Sequence, residues 1–307
     1  MNRRHLGATT VALLAASLPG GWPRPAGASP LVDESAHKNL GQPRPGSWRA
    51  IERSVRGRLG VAVLDTATGA LAGHRLDERF PMCSTFKVLA AALALARVDA
   101  GQERLDRRVP VAPADLLEWA PVSRQHVGAS MSVAELCEAA VTVSDNTAAN
   151  LLLAAIGGPA GVTAFVRRIG DATTRLDRTE PTLNEARPGD PRDTSTPRAM
   201  ARTLRTLALG STLSEAGRAQ WLQWMTANTT GAKRLRAGVP SDWRVADKTG
   251  TGRLGTANDI GLLWPPGRAP LVVVSYLTEC KAPDDAREAA LADVARAVAG
   301  GGWVPAS

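Results

Sequence analysis

Histidine and cysteine are scarce in this chain of 307 residues, with four of the first and three of the second. His5, His37, His74 and His126 form no HxH or HExxH pattern. That excludes a histidine-rich metal hydrolase and withdraws support from a serine triad built on histidine. Cys83, Cys137 and Cys280 give no CxxC or other zinc spacing, and their odd number leaves at least one thiol free in any oxidising compartment. Lysine is as sparse: Lys38, Lys87, Lys233, Lys248 and Lys281 are all there are. The net charge of +8 and the pI near 10.2 therefore come from arginine. Arg3, Arg4 and Arg24 fall in a candidate leader, and no basic run interleaved with aromatics occurs, so nucleic acid is not an expected partner. Beyond the leader no apolar run approaches the roughly 20 residues of a membrane-spanning helix.

The N-terminus carries an export pattern. Arg3 and Arg4 precede an apolar stretch from Gly7 to Leu18, and Ala26-Gly27-Ala28 offers a small-residue cleavage site. The paired arginines resemble a twin-arginine leader. The expected organisation is a signal peptide over 1–28, a flexible segment over 29–46 and one folded domain over 47–307. An uncleaved anchor is the alternative. With 44% hydrophobic and 21% charged residues, the remainder reads as globular. A chain this long buries a core large enough to stand without disulfides or metal.

Strand patterns occur at both ends and helical ones between them. Ser47 caps an expected helix with Trp48, Ile51, Val55 and Leu59 on one face. Strands are expected over 59–65 and 70–76, then a helix over 84–98, apolar nearly all round and hence buried. The middle reads as helices over 132–141, 145–156, 161–169, 197–209 and 214–226. Strands return over 243–248, 259–264 and 271–277, before a last helix over 284–298. The expected class is α+β: an antiparallel sheet from both chain ends (47–80 and 230–307) flanked by helices, beside an all-helical lobe (81–229). The stretch from Thr173 to Thr196 is rich in Pro, Arg, Asp and Thr without periodicity, and a loop of that length is more often functional than not.

Four segments could carry chemistry. Ser84-Thr85-Phe86-Lys87 sets a hydroxyl and an amine one helical turn apart, and a desolvated lysine can take a proton from a serine. Alone this is weak, since Ser35 and Lys38 share the spacing and an N-cap serine explains Ser84 as well. Ser144-Asp145-Asn146 reads either as an N-cap cluster or as a proton-passing hydroxyl beside an amide. Lys248-Thr249-Gly250-Thr251 ends a strand with a cation and hydroxyls suited to an anion. Gly250, Gly252 and Gly255 also spell GxGxxG, but a strand rather than a helix follows, so a nucleotide loop is rejected. Glu180 and Asn184 lie in the long loop. Glu180 is by default a solvated acid; held near an ester it becomes a general base on water.

Together these elements resemble the class A serine β-lactamases, whose signature joins S-x-x-K, S-D-N and K-T-G in this order. The likeness runs over nearly all the chain after the leader. It implies a β-lactamase/penicillin-binding-protein-like fold and hydrolysis of penicillins and cephalosporins through a serine acyl-enzyme, conferring resistance. It implies that Ser84 attacks the lactam carbonyl, with backbone N–H groups of Ser84 and Thr251 as oxyanion hole. It leaves the acylation base open between Lys87 and Glu180 acting through water. Ser144 would protonate the leaving nitrogen, Asn146 would hold the substrate amide, and Glu180 with Asn184 would activate the deacylating water. Lys248, Thr249 and Thr251 would bind the substrate carboxylate, with Gly250 in the same substrate-binding segment and Arg234 behind it in support. Trp119 would form the rim, and Arg178 with Asp193 would bracket the loop as a salt bridge. No cofactor or metal is implied. The expected partner is a small β-lactam, met by a periplasmic monomer without stable membrane association after cleavage.

Two departures stand out. Cys83 before the nucleophile resembles family members active on carbapenems, several of which pair it with a cysteine where this chain has Gly252. Cys137 occupies a position that is often disulfide-bonded in the family, yet its usual partner is here Ala91, so a buried free thiol is expected. A penicillin-sensitive D-alanyl-D-alanine peptidase shares three of the motifs, and Glu180 separates the two readings. A non-catalytic sensor would need a membrane or DNA-binding segment, and none is seen.

Overall fold

Side chains alternate across the central strands so regularly that one sheet separates two cores. In the computed structural model, which describes residues 47–301 and Trp303, β1 (Arg58–Asp65) sends Ala62 and Leu64 to one side and Leu59, Val61 and Val63 to the other. β9 (Leu271–Thr278) repeats this with Val272, Val274 and Tyr276 against Leu271, Val273 and Leu277. Because both faces are covered, these strands read as continuous apolar runs rather than as alternating ones.

With β2 (Leu71–His74), β7 (Arg244–Gly252) and β8 (Thr256–Trp264) they form a five-stranded antiparallel sheet in the order β2-β1-β9-β8-β7. On one face α1 (Ser47–Val55) and α9 (Asp284–Ala299) cover the smaller core. On the other lie α2 (Lys87–Asp99), α3 (Val133–Thr142), α4 (Asn146–Ile156), α5 (Gly158–Arg168), α6 (Pro197–Leu209) and α7 (Glu215–Thr226). Helix α2 is the hub of that side, with every residue from Lys87 to Leu95 buried. The class is α+β, with the sheet built from both chain ends.

Side-chain caps fix the helix starts. Ser132 and Glu135 close a capping box on α3, Asp145 accepts from Ala148 N at the start of α4, and Ser214 accepts from Gly217 N at the start of α7. One assignment needs correction: Leu59 does not continue the first helix. Arg56 takes a left-handed φ of 50°, the helix stops at Val55, and Leu59 enters the same core from β1. Two short pairs, β3 (Phe80–Pro81) with β6 (Thr194–Ser195) and β4 (Arg108–Pro110) with β5 (Ser130–Ser132), interrupt a middle region read as purely helical. Gly250, Gly252 and Gly255 lie on the β7–β8 hairpin, and no helix follows them. The assignments over 1–28 and 29–46 lie outside the described residues. Among the described residues no single helix is long and apolar enough to cross a membrane. Cys83, Cys137 and Cys280 are all buried and free.

Candidate active site

Ser84 sits on a single 3-10 turn, Cys83–Phe86, that runs into α2, and this puts Lys87 one turn further on the same side. Cys83 just before it is held at a left-handed φ of 46°, a conformation costing a non-glycine residue about 1 kcal/mol or more, which the packed surroundings impose. Ser84 Oγ donates to Glu180 Oε1 at 3.1 Å. Lys87 Nζ lies 3.1 Å from the same oxygen and donates to Asn146 Oδ1 (2.6 Å) and to the carbonyl of Ser144 (2.9 Å). Burial pushes the Lys87 ammonium below the ordinary lysine value, and the adjacent Glu180 carboxylate opposes that shift.

Ser144 is also left-handed, with φ 60°, and the next residue, Asp145, is heavily anchored. The Asp145 carboxylate accepts from Val122 N (3.0 Å), Ser123 N (2.9 Å), Ser123 Oγ (2.7 Å) and Ala148 N (2.9 Å). It pins the loop so that Ser144 Oγ stands between two ammonium groups, 3.3 Å from Lys87 Nζ and 3.0 Å from Lys248 Nζ. Asn146 N donates to the carbonyl of Trp119, a residue 56% exposed at the rim.

The long loop holds Glu180 by its backbone. Asn150, one turn beyond Asn146 on α4, accepts from Glu180 N and donates to Glu180 O, both at 2.9 Å. Asn184 Nδ2 donates to Glu180 Oε2 at 2.5 Å, while Asn184 Oδ1 is buried without a protein donor. At the base of the loop Arg178 Nε meets Asp193 Oδ2 at 2.6 Å, and Asp193 Oδ1 accepts from the backbone of Asp177 and Arg178.

Strand β7 is the sheet's edge, so outward backbone groups of this segment are left to the site rather than to a neighbouring strand. Gly250 permits its approach: a Cβ there would sit 2.7 Å from the Met82 carbonyl. Lys248 is fully buried, and burial together with the charge of Lys87 drives its ammonium well below the ordinary value. Arg234 lies behind the strand, its guanidinium donating to Gly250 O (3.0 Å), Asn258 O (2.8 Å) and Thr251 Oγ1 (2.9 Å). Asn258 in turn donates to the carbonyls of Pro81 and Met82, tying β8 to the turn that carries Ser84.

The resulting cleft, about 370 Å³, is lined by Ser84, Trp119, Ser144, Asn146, Asn184, Arg234, Thr249, Gly250, Thr251 and Thr230. All but Thr230 are residues the sequence singles out. Lys87, Glu180 and Lys248 are buried at its floor, whereas Arg178 and Asp193 stand apart at the loop base. The sequence reading missed Thr230, Asn150, Asn258 and the anchoring by Asp145. Of these only Asn150 left a signal, since its spacing from Asn146 places both on one helical face. Among the described residues no trio of His, Cys, Asp or Glu is arranged to hold a metal.

A buried hydroxyl held by lysine and glutamate, with no histidine in these contacts, is the arrangement of a serine hydrolase that dispenses with the His-Asp triad. Residues 47–300 match the β-lactamase enzyme family. Among curated relatives, β-lactamase CTX-M-8 of Citrobacter amalonaticus is 53% identical over 252 residues, covering 82% of this chain and 87% of that one. β-Lactamase L2 of Stenotrophomonas maltophilia is 52% identical over 250 residues, covering 81% and 82%. Among solved structures, an ancestral class A β-lactamase of Gram-negative bacteria superposes with a TM-score of 0.81 at 65% identity, over 81% of this chain and 96% of that one. A putative class A enzyme from Rhodopseudomonas palustris gives 0.81 at 63% identity, over 82% and 97%. The chain belongs to the class A serine β-lactamases. Its activity is the hydrolysis of β-lactams.

Proposed function

We propose that Ser84 is the acylating nucleophile and Glu180 the base of deacylation in the hydrolysis of penicillins and cephalosporins. The observation that carries this reading is the convergence of Ser84 Oγ and Lys87 Nζ on one oxygen, Glu180 Oε1, each at 3.1 Å. Ser84 Oγ bonds to the lactam carbonyl carbon and gives up its proton to this Lys87–Glu180 pair. Backbone N–H groups of Ser84 and Thr251 stabilise the oxyanion. As the C–N bond breaks, Ser144 protonates the nitrogen and is resupplied by either flanking lysine.

Water then attacks the ester. Glu180 takes its proton, the bond to Ser84 Oγ breaks, and Ser84 regains a proton. Asn184 Oδ1, buried and free of protein donors, is suited to accept the second hydrogen of that water. Lys248, Arg234, Thr249 and Thr251 hold the substrate carboxylate, Asn146 the side-chain amide, and Trp119 the outer face. Arg178 and Asp193 brace the loop. The mature enzyme, beginning near Ser29, works as a periplasmic monomer exported by the twin-arginine route.

The test is turnover of benzylpenicillin and of a chromogenic cephalosporin, with intact mass of the periplasmic protein. Many turnovers per enzyme are expected. A single stoichiometric burst with a persistent adduct on Ser84 would establish a peptidase or sensor instead.

A further inference from the structure

Beneath the edge strand two carboxyl groups share a dry site that the catalytic scheme does not use. Asp247 and Asp259 have no solvent-exposed surface and lie within hydrogen-bond reach of each other across β7 and β8. Asp247 is well supplied: Oδ1 accepts from Arg236 Nε and Oδ2 from Asn228 Nδ2, both at 2.6 Å. Asp259 is not. Its Oδ2 accepts from Leu235 N at 3.0 Å, while Oδ1 has no donor at all. An anionic oxygen stranded in this way is strongly disfavoured, and two like charges in contact cannot both persist without water.

A proton on Asp259 Oδ1, donated to the Asp247 carboxylate, resolves both difficulties at once. The other charges around the pair are Arg236 and Arg234 from around α8 (Leu235–Gly238) and Lys248 on the opposite face of β7, while Glu288 of α9 lies 3.6 Å from Arg234 Nε. Arg236 contacts Asp247 directly and so keeps the negative charge there. Burial and the Asp247 charge push the Asp259 carboxyl well above the usual range.

From this pair one chain of contacts runs to each side of the subsite that, on the reading above, takes the substrate carboxylate. Asn228, held by Asp247, presents Oδ1 to Thr230 Oγ1 at 2.7 Å, and Thr230 Oγ1 meets Thr249 Oγ1 at 2.5 Å. Thr230 has one hydroxyl proton for these two acceptors. Given to Thr249, it frees the Thr249 proton for an incoming carboxylate. On the other side Asp259 fixes the first N–H of α8, and with it the adjoining Arg234, which donates to Thr251 Oγ1. We infer that Asp259, kept neutral and donating to Asp247, is a positioning residue for substrate-carboxylate recognition.

The inference rests on the proposed site, so the test separates the two. The mature enzyme and its Asp259→Ala and Asp259→Asn variants are assayed with benzylpenicillin and with its methyl ester, whose carboxylate is masked. Asp259→Ala is expected to raise KM for the acid about tenfold, the scale of one lost buried hydrogen bond, with kcat within about threefold and no change in KM for the ester. Asp259→Asn, which keeps a donor and an acceptor, restores KM to within about twofold. By infrared spectroscopy at pH 8 the wild type shows the carbonyl stretch of a neutral carboxyl, and Asp259→Asn lacks it. The inference is overturned if that band is missing from the wild type or survives in Asp259→Asn. It is equally overturned if Asp259→Asn is as impaired as Asp259→Ala, or if the ester suffers the same penalty as the acid. Should Asp259→Ala fail to fold, the band and the kinetics of Asp259→Asn decide alone. Loss of turnover in the wild type would defeat the proposed function instead, while the band still reports on the pair.

Discussion

Lys87 Nζ and Glu180 Oε1 form a 3.1 Å ion pair in which neither side chain has exposed surface. The two residues come from opposite sides of the cleft, one from the helix that follows Ser84 and one from the long loop. Their pairing brings loop, helix and Ser144 segment to a single point. Removing one partner of such a pair leaves a charge without compensation, a loss of about 3–5 kcal/mol where it has been measured.

Replacing Glu180 by alanine is therefore expected to act twice. Penicillin turnover should fall by about 10²–10⁴-fold as the deacylating base is lost. Mass spectrometry after mixing with benzylpenicillin should show enzyme plus intact drug on Ser84, persisting far longer than in the wild type. Thermal stability should fall as well, because Lys87 loses its counter-charge. Wild-type turnover in the variant would return Glu180 to an ordinary acid.

Arg234 lines the cleft from behind the K-T-G strand, buried and donating to Thr251 Oγ1 and to two strand carbonyls. Arg234→Ala should weaken substrate binding by about 1.5–3 kcal/mol, the usual range for a hydrogen bond to a charged group. The effect is expected mainly in KM, read from steady-state kinetics with benzylpenicillin. Unaltered kinetics would assign the carboxylate to Lys248 and the threonines alone.

The three thiols are buried and unpaired, so titration of denatured, unreduced protein should find three. Gly252 faces one of them: a Cβ built there stands 2.6 Å from Cys83 Sγ. Gly252→Cys should consequently close a disulfide on air oxidation, since the new side chain would start in contact with the Cys83 sulfur. The oxidised variant should then titrate two thiols. A count of four would mean that the Asn184 carbonyl, 2.9 Å from the same point, keeps the new side chain out.

Acid should loosen the N-terminal helix first at Glu52. Burial raises the pKa of this carboxyl, but hydrogen bonds from Arg75, Leu59 N and His74 outweigh it and bring it down from 4.5 to about 2. Folded Glu52 is thus the stronger acid, and the unfolded chain binds more protons between those values. The stability it contributes is complete above pH 4.5 and drains away as pH falls toward 2. Melting temperatures at pH 6 and pH 3.5 should drop less between them in Glu52→Gln than in the wild type. Equal drops would remove Glu52 from the acid response.

Much of this architecture was legible because it is local. The caps Asp145 and Ser214 mark helix starts within a residue, and the apolar runs of β1, β8 and β9 give the sheet. What stayed hidden depends on partners far apart in the chain. The β3–β6 pair has two residues per strand, too few for any period to show. Asp145 reads as a cap in sequence, and its bonds to Ser123 emerge only when two loops meet. Asn258 and the Asp247–Asp259 pair sit inside ordinary strand sequence, where nothing local says which buried polar groups will face each other. Leu59 was misassigned because a helical and an extended residue can enter one core from the same side.

The pairing of β1 with β9 matters before the enzyme ever meets a substrate. Arg58 aligns with Thr278 and Asp65 with Leu271, so the first long strand waits for nearly the whole polypeptide before its second neighbour exists. Until then one of its edges is open, and a contact map this non-local slows folding. A substitution that breaks β9 would therefore be felt in β1, the strand that α1 rests upon.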